Sequence, residues 1–410
     1  MSAPDRTTAV ELDAASPLAH HRDLFLLPPD VVYLDGNSLG ALPRAAAVRL
    51  GHTVTGEWGH GLISSWNSAD WVNLPRRVGA RIAPLIGVHP ADVHVGDSTT
   101  VTLFKTLVAA TRLRPDRRVL VLEPGTFPTD GYVAAGVAET LGLELRWCDP
   151  ADPAAALDDD VAVLSLTHVD FRTGAMYDLA GVTAAAHDAG ALMQWDLCHS
   201  TGAVPVDLTA ADADIAVGCT YKYLNGGPGS PAFSWVHPRH QEAWSQPITG
   251  WFGHARPFEM ERDFEPATGI ARMASGTPPV LALSALDAAL EVFDGVSLDV
   301  LRRVSLSLTD YFIALVDERL GPTFEVITPR EHALRGSQVS LRHEAAYGVV
   351  QALIERGVVG DFRSPDVARF GFAPLYVSHV DVYDAVDNLV AVMEHEEHAR
   401  PAYAIRNAVT

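Results

Sequence analysis

Lys222 stands between a short apolar run and a glycine-rich turn. Residues 215–218 are predicted to form a buried strand, and the Leu-Asn-Gly-Gly-Pro-Gly sequence downstream predicts a turn. An amine at such a place has little water around it, and desolvation lowers the pKa of an amine. A neutral amine can condense with an aldehyde, so Lys222 is a candidate for a Schiff base. The alternative is a surface lysine at the end of a strand.

Other polar residues follow predicted strands or open predicted helices. Asp196 ends the strand predicted over residues 191–195, and His199 comes three residues later. Thr99 and Thr100 precede a predicted helix, whose free N-terminal amides can bind an anion. The alternative is a helix cap for Asp196, Thr99 and Thr100, and a hydrogen-bonded helix residue without function for His199. Ligands of parallel sheets bind beyond the carboxyl ends of the strands, so these groups are predicted to share one site.

The set matches what pyridoxal phosphate requires, which is a lysine, an acid for the pyridine nitrogen, phosphate donors and a flat group against the ring. Phe127 follows a predicted strand and could stack on the ring. Arg369 could grip the carboxylate of an amino-acid substrate with two parallel hydrogen bonds. A surface salt bridge is the alternative for Arg369.

The elements that position these residues are predicted to be α/β. Strands and helices alternate between Val93 and Asp196, which predicts a mostly parallel sheet flanked by helices. The length of 410 residues favours two domains. We expect an N-terminal arm over residues 1–45 that contributes to the small domain, a large cofactor-binding domain over residues 46–295, and a small α+β domain over residues 296–410.

Composition restricts the partners. The formal net charge of −21 disfavours nucleic acids and anionic membranes. No apolar signal segment or membrane span is visible, and three cysteines without a Cys-x-x-Cys pair indicate reduced thiols in the cytoplasm. The histidines and glutamates of residues 394–398 are interpreted as a solvated helix face, and no metal site is predicted.

Six motifs together resemble the kynureninase family. They are Asp-Gly-Asn-Ser-Leu-Gly at residues 35–40, Phe127-Pro-Thr-Asp130, Asp196-x-x-His199, Tyr221-Lys222-Tyr-Leu-Asn-Gly-Gly-Pro-Gly, Trp251-Phe-Gly-His254 and Arg369-x-x-x-Ala-Pro-Leu-Tyr376. The resemblance runs from about residue 30 to the C-terminal helix. It implies the aspartate-aminotransferase fold (type I), with a seven-stranded sheet in the large domain, and a homodimer with active sites at the subunit interface.

The implied reaction is hydrolysis of L-kynurenine, 3-hydroxykynurenine or both to the corresponding anthranilate and L-alanine. The choice of substrate stays open, because position 277 is Thr and family members vary there between Thr and Asn. Roles in tryptophan catabolism and in NAD biosynthesis also stay open.

The resemblance assigns roles to individual residues. Lys222, Tyr221 and Asp196 would be catalytic, with Lys222 as the base that moves the Cα proton and Tyr221 as a proton donor. Ser38 and His60 would lie near the aromatic end of the substrate, and Arg369 would bind its carboxylate. The residues implied to contact pyridoxal phosphate are Thr99, Thr100, Phe127, Pro128, Thr129, Asp130, Thr167, Asp196, His199, Tyr221, Lys222, Trp251 and Thr277, with Trp251 and Thr277 contributed by the neighbouring subunit.

Two alternative functions predict a different set of residues. A cysteine desulfurase or related lyase of the same fold needs a reactive cysteine on a mobile loop in the C-terminal half, and the last cysteine, Cys219, lies next to a predicted strand. A ligand-binding regulator without turnover would be expected to have lost Lys222, Asp196 or Arg369, and all three are present.

Overall fold

The computed structural model describes residues 5–406, so the ends of the predicted arm and of the predicted small domain lie outside the described residues. The strands are β1 Val32–Tyr33, β2 Val93–Val95, β3 Val119–Leu122, β4 Glu144–Trp147, β5 Val161–Thr167, β6 Leu192–Asp196, β7 Ile215–Gly218, β8 Phe233–Val236, β9 Glu325–Val326, β10 Gln338–Arg342, β11 Val358–Val359, β12 Asp361–Arg363 and β13 Val367–Gly371. The α-helices are α1 Arg6–Ala15, α2 Arg44–His52, α3 Ser65–Ser68, α4 Leu74–Ile82, α5 Thr99–Arg112, α6 Pro128–Leu141, α7 Leu179–Asp188, α8 Pro238–Gln241, α9 Val280–Ala289, α10 Leu298–Arg319, α11 Ala346–Glu355 and α12 His379–Glu394.

A seven-stranded sheet has the order β2-β8-β7-β6-β5-β3-β4. Strand β8 runs in the opposite direction to the other six. The prediction of a mostly parallel sheet in an α/β fold is therefore confirmed. Strands β5, β6 and β7 are buried along their whole length, as expected for apolar strands covered by helices on both faces. In the parallel register Thr167 pairs with Asp196 and Asp196 pairs with Val217, so three strands end side by side.

A second, four-stranded sheet has the order β12-β13-β10-β9 and is antiparallel throughout. Strand β1 pairs with β11 in a separate parallel pair, and Asp35 forms a bridge with Gly371 at the end of β13. The segment after β1 is thereby attached to the C-terminal part of the chain. Its other end reaches the turn that follows β7, because the Gly40 amide donates to the Tyr221 carbonyl at 2.7 Å.

Three boundaries differ from what local sequence patterns indicate. The glycine and two prolines of residues 123–130 indicate a loop, but α6 begins at Pro128, because proline at a first helical position costs no hydrogen bond. The apolar spacing of residues 18–26 indicates a helix, but the structure has a short 3₁₀ turn at His21–Leu24, and the longer helix of this part is α1, which the Asp5 side chain caps. The apolar residues of 367–376 indicate one broken strand, and the observed strand ends at Gly371. No helix within residues 5–406 has the length and apolarity needed to cross a bilayer.

Candidate active site

The carboxyl ends of β5, β6 and β7 open into a cavity of about 150 Å³. Its walls come from the ends of β5 and β6, from the N-termini of α5 and α6, from the segments that follow β5 and β6, and from the turn after β7 that carries Lys222. The lining residues are Ser98, Thr99, Thr100, Phe127, Thr129, Asp130, Thr167, Phe171, Asp196, Cys198, His199, Tyr221 and Lys222. Most of the residues predicted to contact a cofactor thus lie around one cavity.

The Lys222 amine lies within this cavity. Its Nζ is 2.8 Å from Nε2 of His199 and 5.8 Å from the centre of the Phe127 ring. His199 is buried, and burial together with the charge of Lys222 holds the pKa of its imidazole well below the usual range. His199 is therefore neutral at physiological pH and can hydrogen-bond the lysine without adding a second positive charge.

Two carboxylates, Asp130 and Asp196, face each other beside the lysine. One oxygen of Asp196 accepts the Cys198 amide at 2.6 Å, and neither acid has an ion-pair partner within 4 Å among residues 5–406. Burial first, and then the neighbouring charge of Asp196, raise the pKa of Asp130 well above its usual value. Such a pair holds a proton and is suited to a cationic N–H group placed against it.

The N-terminus of α5 forms the opposite side of the cavity. Ser98 caps the helix by accepting the Val101 amide at 3.3 Å, and Thr99 and Thr100 line the cavity. Behind them, the ammonium of Lys105 is 1% exposed and donates to Asp97 at 2.5 Å and to the Met273 carbonyl at 2.8 Å. A 14-residue helix with this end open is suited to a phosphate group.

Arg369 is buried in β13, an inner strand of the second sheet, and is strongly bound. Its Nε donates to Asp361 at 2.8 Å, and one terminal nitrogen donates to the Phe171 carbonyl at 2.5 Å. The other terminal nitrogen donates to Ser38 Oγ at 2.7 Å and to Asp361. Phe171 also lines the cavity, so this guanidinium lies directly behind the cavity wall. Ser38, predicted at the aromatic end of the substrate, contacts Arg369 in this structure.

The remaining predicted residues lie apart from the Lys222 cavity within one chain. Pro128 is the first residue of α6, and His60 is exposed, with its Nδ1 2.6 Å from the Thr55 carbonyl. Thr277 lines an adjoining cavity with Thr99 and Tyr221. Trp251 packs edge-on against Phe252, with ring centres 4.5 Å apart, in a different loop.

Four charged residues of the site were missed by the sequence analysis. They are Lys105, Asp35, Asp361 and Arg363. Lys105 occupies a position of α5 at which the spacing of apolar residues predicts a core side chain. Only its burial in the structure shows that it supports the site. The other three surround Arg369, although Asp35 is far from it in sequence.

Asp35 offers a test of this charged group. Burial first, and then the charge of Asp361, raise the pKa of Asp35 to about 7. The charges of Arg369 and Arg363 oppose this shift. Three tyrosines also lie near the Asp35 carboxyl, namely Tyr33, Tyr223 and Tyr376.

The folded-state pKa of Asp35 lies above the ordinary aspartate value. The stability that comes from keeping Asp35 protonated is therefore fully present below about pH 4, the ordinary pKa of an aspartate. It is lost as the pH rises through the folded-state pKa of about 7. We expect Asp35→Asn to raise Tm at pH 8 by roughly 2–5 °C and to change Tm much less at pH 4. Thermal melts across this range measure the effect, with Asp366→Asn as the control. An equal change at both pH values would contradict the burial of an ionised Asp35.

The arrangement fits pyridoxal phosphate. A lysine, a proton-holding carboxylate pair, a helix N-terminus and an aromatic ring surround one cavity, and a guanidinium lies behind it. The site and the α/β fold together define a pyridoxal-phosphate-dependent enzyme of the aspartate-aminotransferase fold type.

Comparisons with known proteins identify the family. The chain is 53% identical over 413 residues to kynureninase of Burkholderia pseudomallei (strain 1106a) and 50% identical over 413 residues to kynureninase of Pseudomonas fluorescens, with 99% of each chain covered. A family model described as the kynureninase C-terminal domain matches residues 301–389. The chain belongs to the kynureninase family.

Solved structures show the same fold at low identity. A cystine C–S lyase in complex with its product cysteine persulfide has a TM-score of 0.77 at 17% identity and covers 88% of this chain and 98% of its own. The cysteine desulfurase CsdA from Escherichia coli has a TM-score of 0.77 at 20% identity, and the match covers 92% of this chain and 98% of CsdA. These likenesses confirm the predicted fold type.

Proposed function

We propose that the chain hydrolyses the Cβ–Cγ bond of L-kynurenine, of 3-hydroxykynurenine or of both, giving the corresponding anthranilate and L-alanine. The observation that carries the proposal is the Lys222 amine in a cavity with two buried carboxylates, in a chain 53% identical to a protein named kynureninase. A desulfurase or C–S lyase activity has less support, because the structures that carry those names are 17–20% identical.

Pyridoxal phosphate, when bound, withdraws electrons from Cα and Cβ of the amino acid. Lys222 would hold the cofactor, yield its place to the substrate amine and then remove the proton from Cα, with His199 2.8 Å from its Nζ to orient it. Asp196, next to Asp130, would keep a proton on the pyridine nitrogen. Tyr221 would donate a proton in the later steps. Burial raises the pKa of its phenol, so the hydroxyl keeps its proton until then.

The other predicted residues take supporting roles in this proposal. Thr99, Thr100 and Tyr221 would bind the phosphate, Phe127 would stack on the ring, and Thr167 would lie near its 3-oxygen. Arg369 would bind the substrate carboxylate. The cofactor would also contact Pro128, Thr129, Trp251 and Thr277. The substrate would contact Ser38 and His60.

A homodimer with shared active sites forms part of the proposal. Four apolar side chains near α2 are exposed, namely Val48 (74%), Trp58 (56%), Leu62 (62%) and Ile63 (80%), and a second copy of the chain would cover them. His60, Trp251 and Thr277, which do not line the cavity of their own chain, could then reach the partner's site. The three-part division at residues 45 and 295, a cytoplasmic location and a role in tryptophan catabolism or NAD biosynthesis remain proposals as well.

The function is tested by incubating the protein with pyridoxal phosphate and either L-kynurenine or 3-hydroxykynurenine. We expect anthranilate fluorescence to appear with the first substrate, or the hydroxylated product with the second, and the ratio of kcat/KM values gives the preference. L-Cysteine and L-cystine are the controls. Sulfur release from them without cleavage of either kynurenine would contradict the proposal and favour the lyase alternative.

A further inference from the structure

Arg369 has too few free hydrogens to grip a carboxylate alone. A guanidinium carries five N–H donors, and a bidentate contact with a carboxylate uses two of them. The contacts with Asp361, Phe171 and Ser38 use four, so one N–H of Arg369 is left. Ser38 cannot supply the second donor, because its hydroxyl already donates to Asp361 at 2.7 Å.

Arg363 has the donors that Arg369 lacks. One terminal nitrogen of Arg363 donates to Ser38 Oγ at 3.0 Å and to Asp361 at 2.5 Å, the same two groups that bind Arg369. Its Nε is buried and has no hydrogen-bond partner among the described residues. The Arg363 side chain is 30% exposed, whereas that of Arg369 is 1% exposed, so a ligand can reach Arg363 more easily.

The charges of this group also favour an incoming anion. Asp361 lies between both guanidiniums and balances one of them. Within residues 5–406 the second positive charge faces Asp35, whose ionised form is disfavoured by burial and by the charge of Asp361. A substrate carboxylate would add negative charge to this group. Arg369 also donates to the carbonyl of Phe171, which lines the cavity that holds the Lys222 amine, so the guanidinium pair lies next to the cavity wall.

We propose that Arg363 is a second substrate-binding residue, which contacts the α-carboxylate of the amino acid together with Arg369. The inference rests on the proposed function, since it assigns the carboxylate subsite of that reaction. Arg363 would select for amino acids with a free α-carboxylate, and Ser38 and Asp361 would fix the two guanidiniums relative to each other.

A probe that cannot react with the cofactor isolates this subsite. 4-(2-Aminophenyl)-4-oxobutanoate has the aryl ketone and the carboxylate of kynurenine but no α-amino group, and its primary amide lacks the charge. Binding of both compounds to the holoenzyme is measured by calorimetry. We expect Arg363→Gln to raise the Kd of the acid about tenfold or more and to leave that of the amide within about twofold. Arg363→Lys should retain part of the preference, because it keeps the charge.

Arg342→Gln is the matched control, since this arginine lies on the same sheet but pairs with Glu325 on the surface. An unchanged ratio of acid to amide Kd values in Arg363→Gln and Arg363→Lys would overturn the assignment. So would an equal loss of both ligands, which indicates a general structural role. Loss of the acid preference in a protein that does not cleave kynurenine would support Arg363 while refuting the proposed reaction, so the two failures are distinguishable.

Discussion

Replacing Lys222 with alanine is expected to lower kcat/KM for kynurenine by roughly 10⁴-fold or more and to remove the visible absorbance of the lysine-bound cofactor. The amine is the group in the cavity that can bond the cofactor aldehyde, and its position next to His199 suits it to move the Cα proton. The carboxylate pair and the phosphate site are untouched by the change, so the variant should still bind pyridoxal phosphate noncovalently.

The chain offers a clean control, because it has only two lysines, Lys105 and Lys222. Borohydride reduction of the holoenzyme should attach the cofactor permanently to the peptide that contains Lys222, as mass spectrometry would show. The amine of Lys105 is held by Asp97 and Met273, so Lys105→Met should keep the label on Lys222. A label on Lys105, or full turnover by Lys222→Ala, would refute the assigned role.

The sequence could predict the edge of the sheet where the site lies. Strands β5, β6 and β7 are short apolar runs, and the predicted ends of β6 and β7 lie within two residues of the observed ones. Because parallel strands end on the same side, the alignment of Thr167, Asp196 and Lys222 followed from strand order alone. The strands and the edge at which they end depend on local apolar patterns, and such patterns can be recognised in a single sequence.

The group around Arg369 could not be predicted in the same way. Asp361 faces Arg369 because β12 and β13 pair antiparallel with those two residues in register. Strand β12 is three residues long and carries a charge at each end, so its sequence resembles a surface loop. Asp35 joins the group through a bridge to Gly371, which is a contact between distant segments. Local patterns contain no information on either pairing.

Replacing Arg369 with methionine is expected to raise KM for kynurenine by about 100-fold or more, with a smaller change in kcat. The same change should lower stability, because Asp361 is 1% exposed and loses two of its hydrogen bonds. Removing one partner of a buried ion pair costs about 3–5 kcal/mol, and the remaining contact with Arg363 places the expected loss near the lower limit.

The double variant Arg369→Met/Asp361→Asn separates the two effects. Without Arg369, the buried carboxylate of Asp361 keeps only its contact with the partly exposed Arg363, so neutralising Asp361 should recover part of the lost thermal stability. KM should stay high, since the principal guanidinium of the carboxylate site is still missing. Steady-state kinetics and thermal melts of the wild type, both single variants and the double variant form a complete cycle. If KM returned to the wild-type value together with stability, Arg369 would be a structural residue that supports the cavity wall at Phe171, and the carboxylate would bind elsewhere.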